Sequence, residues 1–249
     1  VVAPEIVPAA EPLTIAFGTQ HWPAPGQPTE GIGAYVVTVA RGLAARGHRV
    51  HVATCAHPGQ PMTWVDEGVH VHQTYLPGPN AKDPASVRAY SRAVAGKLAA
   101  LDAVEPFDVV EFQEWAAEGW AFVPRPDQLF VVRTQTPSWV IRDFEYADHS
   151  AAELQIDELE RWALERADLV TAPSQLGARR LSERWAVDLA STLVIPNGIN
   201  AERFAPPATE PTGESPLVVC VNRYSPLKGA EQFVRAAAQV HRAFPTARF

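Results

Sequence analysis

The sequence predicts an α/β fold, a Rossmann-like and mainly parallel sheet with helices on both faces. Three observations carry this. Short apolar runs alternate with helical segments from Leu13 onward, the pattern of a doubly wound sheet. Several runs, such as LFVVR from Leu129, are apolar without interruption, as strands buried on both faces are. Glycines also flank the first helical segment, Gly33 at its start and Gly47 at its end, where tight turns and a helix stop need them.

In chain order, LTIAFGT (13–19) is the first strand. GAYVVTVARGLAARG (33–47) is an amphipathic helix, with Val36, Val37, Ala40, Leu43 and Ala44 spaced by three and four. RVHVAT (49–54) follows as a strand, so a right-handed crossover is expected. A short strand near Met62–Val65 leads into VHVHQTY (69–75), then a helix over 84–102 and a buried strand FDVVEFQ (107–113). LFVVRTQ (129–135) is the next strand. The helix over 150–167 carries Leu154, Leu159, Trp162 and Ala163 on its apolar side, with Ser150 and Glu153 forming a capping box. DLVTAPS (168–174) and TLVIPNG (192–198) are strands bracketing a helix over 175–186. After a linker, APPATEPTGESP, LVVCVNR (217–223) starts a new strand and KGAEQFVRAAAQVHRAF (228–244) a new helix.

The predicted organisation is a leader over 1–12, a domain over 13–204, a linker over 205–216 and the truncated start of a second Rossmann-like domain over 217–249. The chain of 249 residues is 47% hydrophobic and 20% charged, which excludes disorder, a collagen repeat and a coiled coil. A net charge of −7 without a Lys/Arg block argues against a nucleic-acid binder. Cys55 and Cys220 lie in apolar runs and read as buried small hydrophobes in a reducing, cytoplasmic setting. The N-terminal segment has no positive region of a secretion signal. No run reaches the length of a spanning helix, so membrane contact is peripheral at most.

Four constellations bear chemistry. EGIG (30–33) places Gly31 and Gly33 at a helix N-terminus, beside Glu30; the pair is either a cradle for a phosphate or a loop needing positive φ. NRYSPLKG (222–229) puts Arg223 and Lys228 on one loop after a strand. They either grip a diphosphate, Arg bidentately and Lys as a point charge, or form a solvated surface. RTQTPSW (133–139) offers Gln135, Thr136, Ser138 and Trp139 to a cleft, or caps a turn before Pro137; Arg142 lies beyond and suits an acidic group. EFQEW (111–115) alternates Glu111, Gln113 and Glu114, with Glu114 expected to cap the next helix. His70 and His72 share one strand face but lack a third ligand at metal spacing.

Taken together, GIGAYVVTVARGLAARGHRVHVAT, FDVVEFQEW, ERADLVTAPS, VIPNGINAERFAPP and VVCVNRYSPLKGAEQFVRAAAQV resemble one family, from Leu13 to Phe249. The sequence looks like a retaining glycosyltransferase of the GT-B fold, of the family 4 group that includes glycogen synthase-like and mannosyltransferase-like enzymes. The resemblance implies two Rossmann-like domains, with a nucleoside-diphosphate sugar as co-substrate and a carbohydrate or small-molecule acceptor. It makes Gly31 and Gly33 the diphosphate-contacting loop. It makes Arg223 and Lys228 the catalytic pair that steadies the leaving diphosphate, without a bound metal or other cofactor. Gln135, at the end of its strand, joins them as a catalytic-position residue, and Glu30, Glu114, Thr136, Trp139 and Arg142 fall on the acceptor side.

Departures from the family pattern accompany it. Gln135 stands where many relatives carry histidine, E-F-Q-E-W stands for H-x-H-D-W, and Asn222 replaces the glycine before the basic arginine. The family's acidic E-x(7)-E motif would lie beyond Phe249, so the chain is expected to be inactive alone. A non-catalytic binding or partner module on the same fold is the alternative; a dinucleotide-dependent oxidoreductase is disfavoured by the absent G-x-G-x-x-G.

Overall fold

A computed structural model describes residues 11–29, 31–145, 150–188, 192–201, 204, 205 and 215–249. Most of the expected leader and linker, and the candidate Glu30, lie outside the described residues. The chain divides into two compact units, one of Val1–Ser138 with Ser150–Ile199, the other of Trp139–His149 with Asn200–Phe249.

The first unit is built on eight strands: β1 (Thr14–Gly18), β2 (Arg49–Thr54), β3 (Thr63–Asp66), β4 (Val69–Gln73), β5 (Val109–Gln113), β6 (Leu129–Arg133), β7 (Leu169–Ala172) and β8 (Thr192–Val194). Their order is β3-β4-β2-β1-β5-β6-β7-β8. All pairs are parallel except β3 with β4. That hairpin turns on Glu67 and Gly68, both at positive φ, the two-residue turn whose twist matches its strands. Strand order reverses at β1, with β2 on one side and β5 on the other. The crevice at the carboxyl ends of β1 and β5 is therefore the topological switch point, where open α/β sheets take ligands.

Helices α1 (Ile32–Ala45), α2 (Pro84–Asp102), α4 (Ala151–Glu165) and α5 (Gln175–Trp185) cover the sheet. From α1, Val36, Val37 and Ala40 pack with Ile15, Phe17, Val50, Val52, Val69 and Val71 in one cluster. A second joins Val87 of α2 to Ala116, Ala117, Ile156 and Leu159. The capping box of α4 is formed, Glu153 N donating to Ser150 Oγ at 3.2 Å and Ser150 N to Glu153 Oε2 at 3.0 Å.

The apolar face expected of α4 is corrected. Leu154 and Trp162 are exposed, and the buried face carries Asp157 and Glu160 beside Ile156, Leu159, Ala163 and Leu164. Glu160 faces inward because it bonds backbone groups of neighbouring loops, as described below. His70 and His72 join His51 in a stack, His51 Nδ1 lying 3.1 Å from His72 Nε2.

In the second unit α3 (Ser138–Glu145), most of which groups here, was not foreseen; it is short and shows fewer than two full apolar turns. Helix α6 (Ala230–Ala243) follows a 3-10 turn over Pro226–Lys228, and Phe233 packs edge-on against Phe249. The strand expected over 217–223 is not formed. Only Leu217 makes a parallel bridge, to Arg248, because a strand needs a neighbour to accept its backbone bonds and those bonds involve Pro216, Val218 and Arg248 alone. Cys220 is correspondingly exposed, against expectation, whereas Cys55 is buried. Among the described residues no helix is long and apolar enough to cross a membrane.

Candidate functional site

The switch-point crevice is bounded on one side by the start of α1. Gly31 precedes the helix at φ 54° and ψ −123°, a conformation open to glycine and costly for other residues. No side chain caps this end, whose first N–H groups have no intrahelical partner and carry the positive end of the helix dipole. Both readings of Gly31 are compatible with this geometry. Gly33 is a different case. A Cβ there would lie 2.5 Å from the His21 carbonyl oxygen, so glycine is required for α1 to approach the loop after β1. Gly33→Ala is expected to destabilise the chain by roughly 2 kcal/mol, by overpacking against backbone; a urea melt unchanged within error would refute this.

Tyr35, on the first turn of α1, donates from its hydroxyl to Glu111 Oε1 of β5 at 3.1 Å. Gln113 Nε2 reaches the same oxygen at 3.3 Å, and Gln135 Nε2 donates to Gln113 Oε1 at 3.2 Å. A hydrogen-bonded row thus runs from α1 across β5 to the loop after β6. Arg133 of β6, buried, sits with its guanidinium 4.7 Å from the Tyr35 ring centroid. Its Nη2 donates to Ile195 O at 2.6 Å and to Asn197 Oδ1 at 2.7 Å. The I-P-N-G segment that follows β8 is therefore held by the sheet.

Glu114 does not cap a helix. It is fully buried and accepts from Gln135 N at 2.7 Å through Oε2, because the 3-10 turn over Trp115–Ala117 takes no side-chain cap and leaves the carboxyl to the loop behind it. This makes it a support of the Gln135 loop rather than a group exposed to an acceptor. Glu118 and Glu160 complete a buried set. Glu118 Oε1 accepts from Gln20 N at 2.7 Å. Glu160 accepts from Ser138 N at 3.1 Å, Ser138 Oγ at 2.5 Å and Ala116 N at 3.0 Å.

Burial pushes Glu114, Glu118 and Glu160 up to about 8, with Glu118 adding to the rise of Glu114 and Glu114 to that of Glu160. Burial also raises Glu111 to about 7, against lowering by Tyr35, Arg133 and Gln113. It lowers His21 and His72 to about 4. The signs give a pH dependence. Each raised carboxyl holds in the folded state a proton that the unfolded chain has already released. Its stabilising contribution is complete below the ordinary carboxylate range and is lost as pH rises through about 8. The two histidines act oppositely, losing stability as pH falls from about 6.5 through 4. Thermal stability is thus expected to fall steeply between about pH 6.5 and 8.5, where the histidines no longer compensate. A melting temperature flat across that window would contradict the protonated cluster.

Of the residues expected from sequence, Gly31, Gly33, Glu114, Gln135 and Thr136 lie in the first unit at the carboxyl edge of the sheet. Trp139 and Arg142 lie on α3 and are buried; they group with the second unit, as do Arg223 and Lys228. Arg223 and Lys228 share the loop before α6, both exposed, and neither side chain has a hydrogen-bond or ion-pair partner among the described residues. Among the described residues no group of three His, Cys, Asp or Glu side chains is placed to hold a metal ion.

A family model described as Glycosyltransferase Family 4 matches residues 29–203, well over half of the sequence. The chain belongs to glycosyltransferase family 4. Solved structures with the same fold include sucrose-phosphate synthase from Thermosynechococcus elongatus, 21% identical at a TM-score of 0.65, over 92% of this chain and 60% of that one. The catalytic domain of starch synthase IV from Arabidopsis thaliana, solved with ADP and acarbose, is 16% identical at 0.54, over 92% and 59%. A glycosyltransferase from Rickettsia africae is 15% identical at 0.54, over 92% and 58%. At these identities the likeness is one of fold, a Rossmann-like α/β sheet shared with GT-B glycosyltransferases. This family 4 chain spans about 60% of the length of the first of these structures. No curated protein sequence matches it.

Tyr35, Glu160 and Asn197 were not singled out by sequence. Glu160 left a signal, since it and Asp157 interrupt the apolar face of α4 three residues apart. Tyr35 and Asn197 left none beyond lying next to Gly33 and within I-P-N-G.

Proposed function

We propose that this family 4 chain supplies the acceptor side of a retaining glycosyltransferase that draws on a nucleoside-diphosphate sugar. The observation that carries the reading is the family match over 29–203 falling on a parallel sheet whose switch point opens beside Gly31 and Glu111. In the reaction, the bond from the sugar's anomeric carbon to the diphosphate oxygen breaks, and a bond to the acceptor oxygen forms on the same face. The acceptor's hydroxyl proton leaves with the departing diphosphate. The uncapped start of α1 favours a diphosphate through its N–H groups and dipole. Arg223 and Lys228 act where negative charge develops on the leaving group.

Gln135 cannot take a proton, so its part is to hold a sugar hydroxyl; its backbone is fixed by Glu114 and its side chain by Gln113. Trp139 and Arg142, on the helix that follows, are proposed as acceptor contacts. The domain arrangement read from sequence, and a cytoplasmic location, belong to the same proposal.

The test is incubation of the full-length enzyme with UDP-, GDP- and ADP-sugars, followed by nucleotide release and anomeric configuration of the product. Transfer with retained configuration supports the proposal. Nucleotide binding without transfer or donor hydrolysis would instead favour a non-catalytic module, a reading motivated by glutamine at positions 113 and 135.

A further inference from the structure

We infer that Glu111 is a specificity residue of the acceptor site, whose carboxylate takes a hydroxyl of a neutral polyol. This rests on the glycosyl-transfer reading and deepens it.

Position comes first. Glu111 stands near the carboxyl end of β5, the strand beside β1 at which strand order reverses. It is half-buried, so it borders the crevice rather than the core. Its neighbours in the sheet are apolar, Phe17 on β1 and Val131 on β6. A carboxyl in such a setting is costly to bury without partners, and it has partners for one oxygen only. Oε1 accepts from Tyr35 and Gln113. Oε2 has no partner among the described residues, so the side chain is oriented by one oxygen and presents the other.

Chemistry follows. The two glutamines at the family's histidine positions, Gln113 and Gln135, bond each other and cannot exchange protons at neutral pH. Within the row Tyr35–Glu111–Gln113–Gln135, only Glu111 titrates near neutrality, raised to about 7 by burial; the Tyr35 hydroxyl is held protonated, its ionisation pushed far up by burial. The charged or titratable groups facing Glu111 are Tyr35 of α1 and Arg133 of β6. Arg133 directs Nη2 to Ile195 and Asn197 rather than to the crevice. An anionic ligand would therefore meet a carboxylate whose neighbouring cation is already engaged with Ile195, Asn197 and the Tyr35 ring. A hydroxyl donor would find an acceptor already aligned, which selects a neutral polyol at this position.

Carboxyl-13C-glutamate labelling of the chain tests this, the Glu111 signal being assigned by its loss in Glu111→Gln. Glucose, fructose and myo-inositol are the polyol probes and inorganic phosphate the anionic one. At least one polyol is expected to shift the Glu111 signal saturably, binding about tenfold more tightly at pH 8 than at pH 6 as the carboxyl ionises. Glu111→Gln should weaken that polyol at least about tenfold. Tyr35→Phe, which keeps the ring beneath Arg133, should raise the Glu111 titration midpoint and weaken the polyol at pH 7. A Glu111 signal indifferent to all three polyols, equal affinity at both pH values, or a stronger response to phosphate would each overturn the inference. Because binding is read without turnover, absence of sugar transfer beside a responsive Glu111 would count against the transferase reading alone.

Discussion

Replacing Arg223 with alanine is expected to lower kcat by about 100- to 1000-fold while leaving the melting temperature unchanged, and Lys228→Ala is expected to do the same. The magnitude is that of deleting one preorganised group from the place where transition-state charge develops. The unchanged stability follows from the structure. Both side chains are exposed, and neither has a partner among the described residues whose loss would leave a buried group unsatisfied. Such substitutions change stability by less than about 0.5 kcal/mol. Because both act on the same leaving group, the double variant should cost less than the product of the single effects. Arg223→Lys should recover only part of the loss, since lysine cannot form the paired contacts of a guanidinium. Steady-state kinetics on the full-length enzyme with saturating donor checks this. A kcat within about threefold of wild type in either alanine variant would remove the pair from the mechanism.

Glu160→Ala has the largest expected effect on stability, about 3–5 kcal/mol. The carboxyl is fully buried and serves three donors at once, Ser138 N, Ser138 Oγ and Ala116 N. Alanine would leave all three in a dry setting, each with a desolvation cost of about 1 kcal/mol or more. Ala116 is itself held at positive φ, a conformation that persists only while its surroundings impose it. The melting temperature should fall by roughly 10 °C. Glu160→Gln, which matches the protonated carboxyl in shape and keeps an acceptor, should lose less than half as much. It should also flatten part of the decline above neutral pH, since one raised carboxyl has been removed. Chemical denaturation giving less than about 1 kcal/mol for the alanine variant would show that water satisfies these groups instead.

Elements with strong local signals were legible in the sequence. The period of Val36, Val37 and Ala40 predicted α1, and Ser150 with Glu153 predicted the start of α4, because a helix start is a matter of residues a turn apart. The uninterrupted apolar runs predicted β5 and β6 for a similar reason. By contrast, LVVCVNR reads as a strand yet pairs only around Leu217. A β-strand exists through a neighbour, and no propensity supplies one.

The site divides along the same line. Gly31 and Gly33 stood out because glycine is legible where backbone is constrained, but their reasons differ. One occupies a positive φ and the other a close approach to His21 O, which no local pattern distinguishes. Glu114 was noticed and misassigned, since its partner Gln135 lies twenty-one residues away in the loop after the next strand.

The succession of β1 to β8 with α1, α2, α4 and α5, and the family, were legible in the sequence alone, through periodicity and motif spacing. Tertiary structure decided which side chains meet. It turned Glu114 inward to hold a loop, buried Glu160 beneath two backbone segments, and set Glu111 between Tyr35 and Gln113 with one oxygen to spare. Those outcomes depend on strand order and register, which bring together residues distant in the chain. Burial then shifts the proton affinity of each carboxyl by an amount that residue type alone does not encode.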